Sequence, residues 1–209
     1  MRSFPFAASS LALVPLLALP LGCRPERDVS QAEGAYGALI DAYDDEDAQA
    51  VWNLCSANTH ELLTQAHGKM KTLKKVITAE FPVGQRKQAL HASGVSLLDG
   101  AQNARALFAK VSRLDKLNFD GGVRYGAEVK ESEVDPEAGK ATFQTQAGQT
   151  WVLTKDEEGA WKTTHLEALF QRHLDTVTGN LKTAQDFAKK AKDHEKAVGV
   201  RFKQLVKGH

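Results

Sequence analysis

The sequence predicts an α+β fold, with N-terminal helices packed on a curved antiparallel sheet of about four strands and a long helix at the C-terminal end. Two observations predict it. Apolar residues recur at helical spacing up to about residue 114, alternate after Gly121-Gly122, and return to helical spacing from Phe170. Turn-forming clusters at 135–139, 147–148 and 156–159 then cut the alternating stretch into short strands of a meander.

The chain opens on Met1-Arg2-Ser3 and carries no charge from Phe4 to Gly22, with its densest apolar run at Leu11–Leu19. A bilayer span needs about 20 apolar residues, so this run fits the core of a signal peptide better. Pro5, Pro15 and Pro20 also disfavour a spanning helix, because each lacks a backbone donor. Leu19-Pro20-Leu21-Gly22-Cys23 resembles the bacterial lipobox, with Pro20 where that motif usually has Leu. The resemblance implies removal of residues 1–22, an acylated (palmitate-bearing) Cys23, and membrane attachment through it. Arg24, rather than Asp, after the cysteine implies sorting to the outer membrane of a bacterial envelope in preference to the inner one. An ordinary signal peptide and an uncleaved anchor are the alternatives.

The whole chain has 27 Lys/Arg against 26 Asp/Glu, and removing Arg2 with the signal leaves it neutral. From Lys182 to His209 there are eight Lys/Arg and three acids, so residues 23–181 carry five net negatives. A neutral exported protein with a cationic tail is not expected to bind nucleic acid. Besides Cys23 the only cysteine is Cys55. It sits on an apolar stripe without a second cysteine ligand nearby, which predicts a core thiol rather than a metal or redox centre.

Residues 23–29 read as a tether. Ser30-Gln31-Ala32-Glu33 reads as a capping box opening a helix with Tyr36, Leu39, Ile40 and Tyr43 on one face. Asp44-Asp45-Glu46-Asp47 ends it and begins a second helix striped by Ala48, Val51, Trp52 and Cys55. Ser56-Ala57-Asn58-Thr59 caps a third, with Leu63, Ala66, Met70, Leu73 and Ile77 inward, stopped at Phe81-Pro82-Val83-Gly84. A short helix is expected over 85–91, a brief strand over 95–98, a cap at Asp99-Gly100, and a helix with Ala104, Leu107, Phe108, Val111 and Leu114 inward. Val123, Tyr125, Ala127 and Val129, then Ala141, Phe143 and Thr145, then Trp151 and Leu153 alternate, and Trp161 opens a last strand toward Leu166. From Phe170 a seven-residue register runs through Leu174, Val177, Leu181, Ala184, Ala188 and Ala191 to Val198, Phe202 and Leu205. Its alanines make it a weak seam. The expected division is thus a body over 30–168 and a basic helical extension over 169–209.

Tyr36-Gly37-Ala38-Leu39-Ile40-Asp41-Ala42-Tyr43, followed by Asp47-Ala48-Gln49-Ala50-Val51-Trp52, resembles the opening of the NTF2-like superfamily. Thr150 to Lys162, with the acidic turn before Trp161-Lys162, is similar to its closing hairpin. The resemblance covers residues 30–168 and implies a cone of helices and curved sheet around an apolar pocket. Tyr36, Tyr43, Trp52, Tyr125, Phe143 and Trp151 would then line that pocket, although the tyrosines and tryptophans suit a core better.

An isomerase- or dehydratase-like enzyme in such a pocket needs a carboxylate base beside a tyrosine or acid donor. Tyr36 or Tyr43 would serve as donor, but the strand pattern supplies no base, and no catalytic residue is assigned. His60 and His67 are seven apart, about 10 Å along a helix, too far to share a metal. His165 and His173 read as surface histidines. No cofactor motif is present. The expectation is a lipid-anchored, non-catalytic binding or interaction protein, the alternative being a small-molecule enzyme. Its partners would be the membrane at Cys23 and, at the C-terminal helix, anionic lipid or an acidic protein.

Overall fold

A computed structural model of the chain describes residues 27–112 and 126–207. Cys23, Leu114, Val123 and Tyr125 lie outside the described residues. The architecture is α+β: helices, then a four-stranded antiparallel sheet in the order β1-β2-β3-β4, then a long helix.

Helix α1 (Ala32–Asp44) buries Tyr36, Leu39, Ile40 and Tyr43 as the spacing predicts. Its start differs. Gln31 occupies the cap without a side-chain bond, and the Ser30 hydroxyl donates to Asp28 instead, so the capping box does not form. Asp28 accepts both the amide and the hydroxyl of Ser30, a local turn that competes with the cap. Asp47 caps α2 (Ala48–Leu54) by accepting the amides of Gln49 and Ala50. Ser56 caps α3 (Ala57–Glu80) through the Thr59 amide. The α3 stripe of Leu63, Ala66, Met70, Leu73 and Ile77 is at most 1% exposed.

Past Pro82 come α4 (Val83–Ala92), which buries nothing, and a 3-10 turn over Val95–Leu98 where a strand was expected. Gly94, at φ 74°, turns the chain there, and four residues beside α3 find no strand to pair with. Asn103, rather than Asp99, caps α5 (Ala104–Val111) by accepting the Ala106 amide.

The strands are β1 (Val129–Asp135), β2 (Lys140–Thr145), β3 (Thr150–Lys155) and β4 (Trp161–Thr163), each antiparallel to the next. Asp135 and Asp156 close their turns by accepting backbone amides two to four residues on. Ala141, Phe143 and Thr145 of β2 and Trp151 and Leu153 of β3 share one buried face. The first strand is the exception. Ala127 is buried but precedes it, and Val129 is 39% exposed, with Lys130, Glu131 and Glu133 exposed beside it. Charged side chains on an edge strand discourage edge-to-edge pairing. The last strand stops at Thr163, short of Leu166, because its outer edge meets the α2–α3 link: the Ser56 amide donates to the Thr163 carbonyl at 3.0 Å.

Helix α6 (Glu167–Lys207) runs parallel to α3. Glu167 accepts bonds from Ser56 and Asn58 at the start of α3, and Lys192 pairs with Glu80 at its end, 3.0 Å away. Phe170, Leu174 and Val177 join the main core with α1, the sheet and the first half of α3. Ala184 joins a second cluster with Leu73, Ile77 and Val95. Ala184, a small residue of the seam, therefore packs against large residues of α3.

Candidate functional site

The centre of the body is aromatic. Tyr36 stacks on Phe143 with centroids 4.6 Å apart, and Trp151 meets the edges of Tyr36 and Tyr43 at 6.2 and 5.6 Å. Tyr43, Phe143 and Trp151 are at most 1% exposed, so they fill the space between α1 and the sheet. Burial pushes the Tyr36 hydroxyl up to about 12 and raises Tyr43 further. Both remain protonated, and Tyr36 donates to the Ala127 carbonyl at 2.6 Å.

At the edge of this cluster, Tyr36 and Phe143 line a groove of about 440 Å³ between α1 and β1. Its charged groups are Arg27, Glu33, Asp41 and Glu128. Glu33 and Glu128 are exposed, and Asp41 is bound by Arg27 at 3.0 Å. Gly37 lines the same groove, where a Cβ would stand 3.0 Å from the flexible end of Arg27. The tyrosine proton is directed at a carbonyl, and among the described residues no carboxylate is buried beside it.

Trp52 stands apart from the other aromatics. It is half-buried, stacked on His60 at 4.0 Å and edge-on to Phe108 at 5.4 Å. A second groove, of about 610 Å³, lies beside it and is lined by Cys55, His60, Lys162, Glu167 and the acidic turn 156–158. Three of its polar side chains have structural partners. His60 Nε2 meets the Trp52 carbonyl at 2.9 Å, Lys162 donates to the Asn53 carbonyl, and Glu167 is taken by Ser56 and Asn58. Cys55 is a buried free thiol that desolvation pushes up to about 12, with Lys162 opposing and Glu167 adding. A nucleophile requires the thiolate, which this environment disfavours.

His67 lies on α3 but bonds the Ala101 carbonyl at 3.0 Å. Among the described residues no group of three His, Cys, Asp or Glu is placed to hold a metal ion.

His165 and His173 are half-buried rather than open surface residues. His165 stacks on Trp151 at 4.1 Å, and His173 Nε2 is buried without a described partner. Sequence spacing hides this, because both follow β4, where the chain crosses back over the sheet into α6. Burial lowers both values below the ordinary 6.5, with a weaker opposing bond from Thr150 at His165. The unfolded chain therefore binds protons that the fold refuses. Stability is complete above pH about 6.5 and declines as pH falls below it. Urea unfolding between about pH 7.5 and pH 5.5 should show that decline, and His165→Gln/His173→Gln should flatten it. A slope equal to that of the parent chain would contradict the assignment.

The larger feature is electrostatic. Residues 27–68 hold eight acids and one basic residue, whereas residues 69–87 hold six basic residues and one acid. The segment 128–168 adds nine acids against four basic residues. Because α3 and α6 are parallel, the basic end of α3 and the basic half of α6 lie together, away from the acidic body. The cations of α6 are evident in the sequence, whereas their union with those of α3 and α4 depends on helix direction. No helix among the described residues is long and apolar enough to cross a membrane. The chain matches no protein-family model, no curated protein and no solved structure.

Proposed function

We propose that this chain is a lipid-anchored protein of the bacterial envelope, held at Cys23 in the outer membrane, that acts by binding rather than by catalysis. The observation that carries the reading is its polarity: an acidic body next to the tether and a basic end built from α3, α4 and α6. The filled aromatic centre supports it, because Tyr43, Phe143 and Trp151 occupy the space that a substrate pocket would need. The NTF2-like resemblance belongs to the same proposal, and the order of helices followed by an antiparallel meander supports it. The small-molecule-enzyme alternative would need a carboxylate facing the Tyr36 hydroxyl, a place taken by the Ala127 carbonyl.

Mass spectrometry of the N-terminal peptide from the membrane fraction tests the anchor. The expected species begins at Cys23 and carries acyl chains, and Cys23→Ser should abolish both the modification and the membrane retention. An intact N-terminus beginning at Met1 would contradict the reading.

A further inference from the structure

We infer that the basic end of the molecule is a docking surface for an anionic phospholipid bilayer, contacted by α3 and α4 together with α6. The inference deepens the binding role proposed above by naming the partner.

Charge and apolar exposure coincide at this end. Lys71, Lys75 and Lys87 are exposed on α3 and α4, and Lys189, Lys190 and Lys196 are exposed on α6. Between the helices runs an apolar groove of about 250 Å³, lined by Leu73, Ile77, Phe81, Ala184 and Phe187. Phe81 and Phe187 touch across it with centroids 4.6 Å apart. Val83, the first residue of α4, is 79% exposed, Phe187 is 37% exposed, and Val198 is 52% exposed. An anionic bilayer answers both features, since its headgroups meet the lysines and its acyl region takes the apolar side chains.

A second copy of the chain answers only one of them. Its acidic end offers exposed Asp44, Asp45, Glu46 and Asp47, which match the lysines but leave Val83 and the groove facing water.

The test uses the chain from residue 24, without acyl groups, so that it stands apart from the lipidation experiment. Cosedimentation with phosphatidylglycerol vesicles is compared with phosphatidylcholine vesicles at low and high salt. Binding is expected only to the anionic vesicles, and it should weaken as salt shortens the screening length. A cation near such a surface strengthens partition by about fivefold. Lys71→Gln/Lys75→Gln/Lys87→Gln should therefore reduce binding by more than tenfold, and Val83→Asp should also reduce it, with both variants keeping the parent melting curve. If the triple variant binds like the parent while a chain ending at Lys192 loses binding, α6 acts alone and the inference is overturned. It is equally overturned if vesicles are ignored and the chain instead self-associates in a salt-sensitive way.

Discussion

Trp151→Ala is expected to lower the unfolding free energy by about 3–5 kcal/mol, the usual cost of emptying a buried aromatic site. Trp151 has no exposed surface and is held on three sides, by Tyr36, Tyr43 and the stacked ring of His165. It also faces Phe143 directly across the β2–β3 ladder. Removing the indole takes away transfer energy, ring contacts and the wall against which α1 packs. The indole N–H has no described hydrogen-bond partner, so Trp151→Phe should cost less than half as much. Urea unfolding decides the matter. A loss below about 1 kcal/mol for the alanine variant would mean that the residue is not central.

The second large effect concerns α6. A chain ending at Ala168 is expected not to fold, whereas one ending at Lys192 should fold with nearly full stability. The first cut removes Phe170, Leu174 and Val177, which are 1%, 7% and 3% exposed in the core shared with α1 and the sheet. Burying each such side chain is worth about 1.5–3 kcal/mol, so together they rival the whole stability of an ordinary domain. The cut also uncovers Leu73 and Ile77 on α3. The second cut removes residues that reach about 22 Å past the end of α3, including the exposed Val198. Circular dichroism and a cooperative urea transition distinguish the outcomes. A cooperative transition in the chain ending at Ala168 would show that the body is independent of α6.

Much of this was legible in the sequence because burial imposes periods. The 3–4 spacing of Tyr36, Leu39, Ile40 and Tyr43 and the alternation of Ala141, Phe143 and Thr145 each mark one buried face. Turns marked by Asp and Gly were legible too, since Asp156 and Gly159 have few other uses. Gly159, at φ 81°, sits where other residues are strained. The failures are places where no period is imposed. Three apolar residues within 95–98 suit a strand or a 3-10 turn equally, and packing beside α3 decided for the turn. Val129 alternates correctly but lies in an exposed edge strand, where alternation buries nothing. The site was harder still. Tyr36 and Phe143 do meet at a groove, whereas Tyr43 and Trp151 fill the core and Trp52 packs on His60. The basic end requires knowing that α3 and α6 run the same way, which no local pattern encodes.

The separation of charge follows from the parallel direction of α3 and α6. Spin labels at Glu80→Cys and Lys192→Cys, in the chain from residue 24, measure it by the dipolar coupling between them. Cys55 is buried and holds its proton, so it should not take the label. Parallel helices place the two positions side by side, as the 3.0 Å contact between Glu80 and Lys192 requires, giving one short distance. A distance near the length of α3, about 36 Å, would mean that α6 runs the other way and that the basic end does not exist.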